Sequence, residues 1–210
     1  MREVVTPTVR STKRRVLLKL GMALALSVPV SLVVTSCAAD DPLAQQADAG
    51  DGKNYIAGDG SVTEYTATDR GEPVELTGAL FDGTSVSSSE WIGQVTVLNF
   101  WYASCAPCRE EAPDLVALHD EYVPQGAAFY GVNIRDEQAT AEAFERSFGI
   151  PYESFDDKDG DVLLDMTQYV PPQAVPTTIV LDKEGRVSAR ILGLADRSTL
   201  KALISDALAE

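Results

Sequence analysis

Continuous apolar runs of strand length alternate with segments of helical spacing along the second half of the chain. Two such runs, 95–101 (VTVLNFW) and 127–134 (AAFYGVNI), contain almost no polar residue, which is the pattern of strands that are covered on both faces. Residues 106–122 and 137–148 instead place apolar side chains three and four positions apart, which predicts two amphipathic helices. The order strand, helix, strand, helix indicates an α/β fold.

The C-terminal part of the pattern adds a hairpin and two further helices. Residues 162–169 predict a short helix. The apolar runs 177–181 and 186–192 flank a glycine-containing turn, which is typical of a β-hairpin. Asp196 is placed to cap a last helix over residues 197–208. Because a hairpin contributes antiparallel strands, we expect an α/β sandwich whose central sheet is mixed.

Short elements are predicted ahead of the first long strand. Residues 74–76 and 79–81 flank a glycine-containing turn and predict a β-hairpin, and residues 87–91 predict a short helical turn. Farther upstream, residues 55–65 predict a second small hairpin around the turn Gly58-Asp59-Gly60.

The N-terminal segment has the pattern of an export signal. Residues 1–15 are polar and basic, and residues 16–34 are apolar apart from one lysine, two serines and one proline. The apolar run ends in VTSC, which resembles the lipobox of bacterial lipoproteins, whose cysteine is lipidated and becomes the mature N-terminus. We therefore predict a lipoprotein-type signal peptide over residues 1–36 and lipidation of Cys37.

This assignment predicts the localisation and the domain organisation. A lipid anchor would hold the protein at the extracytoplasmic face of the cell membrane, with residues 37–70, rich in Ala, Asp, Gly and Gln, as a solvated tether. Residues 71–210 then form the folded domain. A plain transmembrane helix over residues 16–34 is the alternative, but Lys19 and Pro29 shorten its apolar core. The basic start is compatible with both the general and the twin-arginine export routes.

The charge of the chain excludes one class of partner. The sequence has 17 basic and 32 acidic residues and a net charge of −15. Residues 1–36 carry six of the basic and one of the acidic residues, so the remainder has a net charge of −20. Such a surface repels nucleic acid phosphates, and we expect no nucleic-acid partner.

The cysteine count points to redox chemistry. Of the three cysteines, Cys37 is assigned to the lipid, which leaves Cys105 and Cys108 in the sequence WYASCAPCREEAP. In an oxidising compartment such a pair is either a structural bridge or a working redox couple. The two-residue spacing favours a redox couple, because so small a ring restricts the unfolded chain very little.

The predicted secondary structure assigns a role to each cysteine. Cys105 falls at the start of a helix, where the backbone dipole and the free N–H groups favour the thiolate, so we expect its pKa to lie below that of an ordinary cysteine. The thiolate attacks disulfides, which makes Cys105 the candidate nucleophile. Cys108, one turn later, is placed to release the bound partner. Pro107 fits the first turn, where its missing N–H costs little.

The region around the pair resembles a known fold. A buried strand ending in Phe100-Trp101, the Cys-x-Pro-Cys motif and Pro113 five residues after the second cysteine resemble the thioredoxin fold. The sequence LNFW, the membrane anchor and the hairpin at residues 74–81 are similar to TlpA/ResA-type extracytoplasmic thiol-disulfide oxidoreductases, over about residues 70–210. The resemblance implies a thioredoxin-like sandwich with a mixed central sheet, flanking helices and an N-terminal β-hairpin extension.

The resemblance also implies roles for individual residues. Pro176 should follow a cis peptide bond and pack beside the sulfurs, and Val175 should offer its backbone to a bound peptide. Trp101 and Pro107 complete the expected substrate-binding surface. Glu111 matches an acid that exchanges protons with the buried cysteine, so we expect it to be buried with a raised pKa. Its neighbour Glu110 should then face water.

One position departs from the family pattern. Most relatives have Trp directly before the first cysteine, whereas this chain has Ser104, with Tyr102 two residues earlier. The shielding of Cys105 and its pKa therefore do not carry over from the relatives, and the redox direction of the pair stays open.

The family resemblance further implies particular partners. Exported thiol or disulfide proteins are the expected clients, with apocytochrome c as the candidate, and a membrane thiol reductase of the CcdA/DsbD kind is the expected electron source. No cofactor and no metal are expected.

Three alternatives remain open. A peroxiredoxin-like antioxidant protein would place a Thr ahead of one peroxidatic cysteine. A Sco-like metal-binding lipoprotein would space its cysteines by three residues and add a distant histidine, whereas this chain has a two-residue spacing and only His119. The third is a substrate-binding lipoprotein with a merely structural bridge. For His119, in the middle of a helix, we expect a structural role.

Overall fold

A computed structural model describes residues 56–210, in which there are eight strands, four α-helices and two 3₁₀ turns. The strands are β1 (Ser61–Glu64), β2 (Thr77–Ala79), β3 (Ser85–Ser87), β4 (Val95–Trp101), β5 (Ala127–Asn133), β6 (Ser154–Asp156), β7 (Thr177–Leu181) and β8 (Val187–Leu192). The helices are α1 (Ala106–Tyr122), α2 (Gln138–Phe148), α3 (Asp161–Asp165) and α4 (Arg197–Ala209), and the 3₁₀ turns are Ser88–Trp91 and Val123–Gln125.

Six of these strands form one mixed sheet in the order β1-β8-β7-β4-β5-β6. Strand β5 is parallel to β4 and β6, whereas β7 is antiparallel to β4 and β8. Strand β1 completes the other edge, antiparallel to β8. Strands β2 and β3 form a separate hairpin. The mixed sheet, the flanking helices and the N-terminal hairpin confirm the thioredoxin-like sandwich that the sequence predicts.

Strand β4 is central, and all of its seven residues are buried. Side chains along a strand alternate between the two faces of the sheet. Val95 and Val97 pack in one apolar cluster with residues of α1 and α4, whereas Leu98 and Phe100 belong to the cluster on the other face. The same alternation turns the polar side chain of Asn99 toward α1, where it meets a hydrogen-bonding partner.

The helices begin and end close to where the local sequence predicts. Cys105 is the N-cap of α1, and Pro107 lies in its first turn. Gly149 ends α2 in the left-handed conformation with φ of 65°, which glycine adopts without steric conflict. Asp196 caps α4 by accepting a hydrogen bond from the Thr199 N–H at 3.0 Å. The helix that displays the cysteines is therefore positioned by its own sequence.

The N-terminal hairpin lies later in the chain than predicted. The predicted strands were 74–76 and 79–81, but the structure pairs β2 with β3. Gly78 is not a turn residue: a Cβ there would lie 2.7 Å from the Phe155 side chain, so the glycine lets the strand approach the core. Gly83, with φ of +85°, lies between the two strands instead. The prediction failed because it placed the turn at the wrong glycine.

The sheet begins inside the predicted tether, residues 37–70. All four residues of β1 pair with β8, which corrects the small hairpin predicted at 55–65. The Arg70 guanidinium then donates hydrogen bonds to Asp182 at 2.9 Å and to Glu210 at 2.7 Å. Backbone pairing and charged groups attach this segment to the folded domain, and the local sequence pattern does not show the partner of β1.

The predictions for the signal peptide and the lipidation site concern residues that the structure does not describe. The predicted signal peptide, residues 1–36, and the predicted lipidation site, Cys37, lie outside the described residues. Within residues 56–210, none of the helices has the length and apolar character needed to cross a membrane. The helix predicted at 162–169 is the shorter α3.

Candidate active site

The two cysteines of the motif are joined by a disulfide at the start of α1, with an Sγ–Sγ distance of 2.06 Å. Cys105 is the N-cap residue, and its Sγ accepts a hydrogen bond from the Cys108 N–H at 3.3 Å. In this position the sulfur lies at the positive end of the helix dipole, beside N–H groups without partners inside the helix. Both features favour negative charge on Cys105 Sγ once the disulfide opens. The predicted nucleophile and its resolving cysteine therefore lie where the sequence predicts.

Both sulfurs are covered by protein. Cys105 is 0% exposed and Cys108 is 2% exposed. The other buried members of their apolar cluster are Trp101, Tyr102, Ala112, Ala141, Phe144 and Val175. The Trp101 ring packs on Phe144 with 4.4 Å between the ring centroids. A sulfur from another protein must move part of this cover to reach Cys105.

The loop between β4 and α1 is fixed by the loop that follows β5. The Asp136 carboxylate accepts hydrogen bonds from the Ala103 N–H at 2.6 Å and from Asn133 Nδ2 at 2.9 Å. Asn133 is fully buried, and its Oδ1 accepts the Asp136 N–H at 2.8 Å. The Arg135 guanidinium lies 4.3 Å from the centre of the Tyr102 ring, within range of a cation–π interaction. These contacts hold the backbone directly ahead of the first cysteine.

The peptide bond between Val175 and Pro176 is cis, as the sequence predicts. Both residues are buried, and Val175 belongs to the same apolar cluster as the two cysteines. The Gly193 N–H donates to the Pro176 carbonyl oxygen at 2.8 Å, and the Thr177 hydroxyl donates to the Ala174 carbonyl oxygen at 2.7 Å. These bonds fix the loop ahead of β7, and Val175 places it in the cluster around the disulfide.

Glu111 is a buried acid on α1, with 1% of its surface exposed. It accepts hydrogen bonds from Asn99 Nδ2 at 2.7 Å and from the Ala195 N–H at 2.9 Å. Burial raises the pKa of the Glu111 carboxyl to about 8, with a smaller contribution from the charge of Asp114, while the two hydrogen bonds act in the opposite direction. Asn99 also donates to the Thr178 hydroxyl at 3.1 Å, which fixes its amide.

The placement of Glu111 confirms the prediction that it is buried. It lies three residues after Cys108 on the same helix, a spacing that puts two side chains on one face. Glu110 is exposed, as predicted. A carboxyl group whose pKa lies near neutrality can both accept and donate a proton at physiological pH.

A small cavity lies beside the second cysteine. Its volume is about 10 Å³, and it is lined by Asn99, Trp101, Cys108, Ala112, Leu115, Phe144, Ile150 and Tyr152. A cavity of this size has room for roughly one water molecule where polar groups line it. The amide of Asn99 therefore shares a water-sized space with Cys108, and the same amide contacts Glu111.

His119 does not join this site. Its half-buried ring lies 5.6 Å from Phe129 and 5.7 Å from Tyr152, measured between ring centroids. Its Nδ1 contacts the Asp120 carboxylate at 3.1 Å. Such contacts match the predicted structural role. In the part of the chain that the structure describes, no group of three or more His, Cys, Asp or Glu side chains is arranged to hold a metal ion.

Sequence reasoning missed two residues that shape the site. Asn133 ends β5 and Asp136 lies three residues later; because β5 is the parallel neighbour of β4, the carboxyl ends of the two strands meet at one edge of the sheet. Polar residues directly after a buried parallel strand are a usable signal, because such ends carry binding and catalytic groups. The sequence contains that signal in NIRD, beside the cysteine loop in space.

Comparison with known proteins agrees with this geometry. The model of the AhpC/TSA family matches residues 70–190. The thiol-disulfide oxidoreductase ResA of Geobacillus thermodenitrificans is 30% identical over 57% of this chain and 67% of the relative. The thiol:disulfide interchange protein DsbE of Pseudomonas aeruginosa is 33% identical over 50% of this chain and 54% of the relative. The chain thus spans between about half and two thirds of the length of these two curated relatives.

A solved structure shows the same fold. The DsbF homologue from Corynebacterium diphtheriae superimposes with a TM-score of 0.61 and 32% identity, covering 71% of this chain and 94% of that one. The family match, the paired cysteines at a helix start and the shared fold agree with one another. This chain therefore belongs to the AhpC/TSA family and is a ResA-like protein with the thioredoxin fold.

Proposed function

We propose that this protein is a thiol-disulfide oxidoreductase that exchanges its Cys105–Cys108 disulfide with cysteine pairs of exported proteins. The observation that carries the proposal is the position of Cys105 Sγ, which caps α1 and accepts a backbone N–H. A structural bridge needs no such placement, whereas a sulfur that must become an anion gains from it. The names of the curated relatives support the same reaction class.

In the reductive direction the reaction has two steps. The Cys105 thiolate attacks one sulfur of a client disulfide, which forms a mixed disulfide and releases the other client sulfur as a thiolate. The Cys108 thiolate then attacks Cys105 Sγ, which closes the protein's own disulfide and releases the second client sulfur. Two electrons pass to the client, and its two sulfurs take up two protons. The reverse sequence oxidises a client dithiol.

Glu111 supplies or removes the proton of Cys108 in this scheme. Cys108 is buried, so its thiol must lose a proton before it attacks and regain one when it leaves. Glu111 lies on the same face of α1, and burial raises the pKa of its carboxyl to about 8. A water molecule in the cavity beside Cys108 would connect the sulfur to the Asn99 amide, which contacts the Glu111 carboxylate.

The surface beside the disulfide supplies the client contacts. Val175 and Pro176 pack in the loop next to the cysteines, Trp101 shields the pair, and Pro107 separates the two sulfurs along the chain. We assign the backbone of Val175 to a bound peptide and the other three side chains to its apolar environment.

We place this activity at the outer face of the cytoplasmic membrane. The lipobox-like sequence supports an anchor at Cys37, and the export signal supports clients that are themselves exported. Apocytochrome c is the candidate client, and a membrane thiol reductase of the CcdA/DsbD kind is the candidate electron source. Globomycin, which blocks removal of lipoprotein signal peptides, should cause the precursor to accumulate. Replacement of Cys37 by Ala should also cause the precursor to accumulate, because the residue that is lipidated is missing.

Reduction of insulin by dithiothreitol tests the activity itself. The parent protein should accelerate the reaction, and the Cys105→Ser variant should not; equal acceleration by both would refute the assigned nucleophile. An equilibrium redox titration decides the direction: a potential near −270 mV, as for thioredoxins, favours reduction of clients, and one near −120 mV favours oxidation. Consumption of hydrogen peroxide in preference to disulfides would favour the peroxiredoxin-like alternative.

A further inference from the structure

Residues 56–60, here called the N-terminal strip, lie along the loop that carries the cis-proline. The Ile56 N–H donates to the Gln173 carbonyl oxygen at 2.8 Å, and the Val175 N–H donates to the Ile56 carbonyl oxygen at 3.2 Å. Ile56 and Ala174 thereby form an isolated parallel β-bridge. The strip is thus a short piece of extended chain added to this loop.

The strip is also pressed against the start of the loop that follows β8. The Gly60 N–H donates to the Leu192 carbonyl oxygen at 2.8 Å. A Cβ on Gly58 would lie 2.3 Å from that same oxygen and 2.5 Å from the Gly193 nitrogen. These are backbone atoms, which cannot turn aside as a flexible side chain can. Only glycine at position 58 therefore lets the strip approach this closely.

The bond between Ile56 and Val175 occupies a backbone N–H that a client peptide would use. Val175 belongs to the apolar cluster that encloses Cys105 and Cys108, so the loop that carries its N–H packs against the reacting pair. An extended peptide that brings a cysteine to Cys105 must run past this loop, and extended peptides bind to such edges through backbone hydrogen bonds. The Val175 N–H is a single donor and already has the Ile56 carbonyl oxygen as its acceptor. The strip and a client therefore compete for it.

We propose that the N-terminal strip is an intramolecular occupant of the client-binding edge at Val175, and that an extended, cysteine-containing client segment must displace it before disulfide exchange. The inference rests on the proposed function, because it names what regulates access to that site. The full burial of Cys105 agrees with a state in which this edge is closed.

Two substitutions in the full-length protein release the strip by different means. Gly58→Ala adds a methyl group that the Leu192 and Gly193 backbone cannot accommodate. Ile56→Pro removes the N–H that bonds to Gln173. Gly126→Ala is the control: it adds a methyl group to a glycine away from the strip, where no atom lies within 4 Å of the added Cβ. The φ of Gly126, +98°, makes this replacement strained, so the control shows whether general destabilisation alone changes the readouts.

Two readouts follow the release of the strip. The first is the hydrogen exchange of the Val175 amide in the oxidised protein without any client, which should become about tenfold faster in Gly58→Ala and Ile56→Pro. The second is kcat/KM for exchange with a disulfide-containing unfolded peptide, which should rise about threefold to tenfold, the factor expected from one backbone hydrogen bond. Gly126→Ala should change neither.

Each result bears on the inference. Unchanged hydrogen exchange of the Val175 amide in both variants would overturn it. So would faster hydrogen exchange of this amide together with an unchanged or lower kcat/KM. That second result would mean that the strip helps to bind the client instead of competing with it. The amide readout needs no client, so it distinguishes this failure from failure of the proposed function. Failure of the proposed function would appear as absence of disulfide exchange in the parent and in every variant.

Discussion

The side-chain amide of Asn99, on the central strand, donates a 2.7 Å hydrogen bond to the carboxylate of Glu111, on the helix that carries both cysteines. This bond links the buried middle of the sheet to the one acid that lies a helical turn beyond Cys108. It stabilises the charged form of Glu111 in a place where burial strongly opposes charge. The proton affinity of the site is therefore set by residues of two elements.

Replacement of Glu111 by Gln should change how stability depends on pH. The folded-state pKa of Glu111, about 8, lies above its ordinary value of 4.5, so between these pH values the folded protein holds a proton that the unfolded chain has lost. This group thus lowers the free energy of unfolding as pH rises through that range, by up to about 1.4 kcal/mol per pH unit. Glu111→Gln should lack this slope.

Urea unfolding at several pH values measures the effect. Below about pH 4.5 the free energies of unfolding of the parent and Glu111→Gln should differ by a constant amount. This difference reflects changed hydrogen bonding to Ala195 and Asn99. Between about pH 4.5 and pH 8 the parent should lose stability relative to Glu111→Gln as the pH rises. Glu110→Gln, at the exposed neighbouring position, is the control and should leave the slope of the parent intact. Parallel curves for parent and Glu111→Gln would contradict the raised pKa.

Replacement of Asn99 by Ala should move the pH profile of disulfide exchange. Loss of the Asn99 donor destabilises the carboxylate, so the pKa of Glu111 should rise further and the limb of the profile that it controls should shift to higher pH. Thr178→Val removes the hydroxyl that contacts Asn99 but not Glu111, and should give a smaller shift in the same direction. Stopped-flow tryptophan fluorescence across pH follows the reaction. A lower rate with an unmoved profile would make Asn99 a packing residue only.

Replacement of Asp136 by Ala should loosen the loop ahead of Cys105. The Ala103 N–H would lose its 2.6 Å acceptor and Asn133 one of its partners, which should lower the free energy of unfolding by about 1–3 kcal/mol. Asp136→Asn keeps one acceptor oxygen and should lose less stability. Thermal unfolding gives the stability and the insulin assay gives the activity; wild-type values of both in Asp136→Ala would rule out this role.

Gly131 is a position in β5 where a methyl group has no space. A Cβ there would lie 2.1 Å from Ser154 Oγ and 2.6 Å from Trp101 Nε1. Gly131→Ala should therefore destabilise the protein by about 1–3 kcal/mol and displace Trp101 from its place beside the disulfide. Gly126→Ala, with open space around the added atom, should cost about 1 kcal/mol through backbone strain alone. Equal losses in chemical denaturation would contradict close packing at Gly131.

The parts of the fold that the sequence predicts are those with a strong local pattern. Strand β4 is apolar almost throughout, and α1 carries its own cap and a proline in the first turn, so both have the predicted bounds. Such features depend on nearest neighbours along the chain, which a single sequence displays. The burial of Glu111, in contrast, was expected from the family resemblance.

The missed features depend on distant pairing. Strand β1 coincides with one arm of the hairpin predicted at 55–65, but its true partner, β8, lies far along the chain. Strand β6 has three residues, too few for an alternating pattern. The bond between Ile56 and Val175 joins segments far apart in the chain. No local propensity encodes such contacts, because the sheet fixes their partners only when it assembles.

The most direct test of the account is the trapping of a mixed disulfide with single-cysteine variants. Cys108→Ser should form a stable covalent adduct with an unfolded client carrying an activated disulfide, linked through Cys105, because the resolving sulfur is missing. Cys105→Ser should form little or none, since the remaining sulfur, that of Cys108, is not at the N-cap of α1. Peptide mass spectrometry identifies the linked cysteine. An adduct through Cys108 in Cys105→Ser, with none through Cys105 in Cys108→Ser, would contradict the central claim.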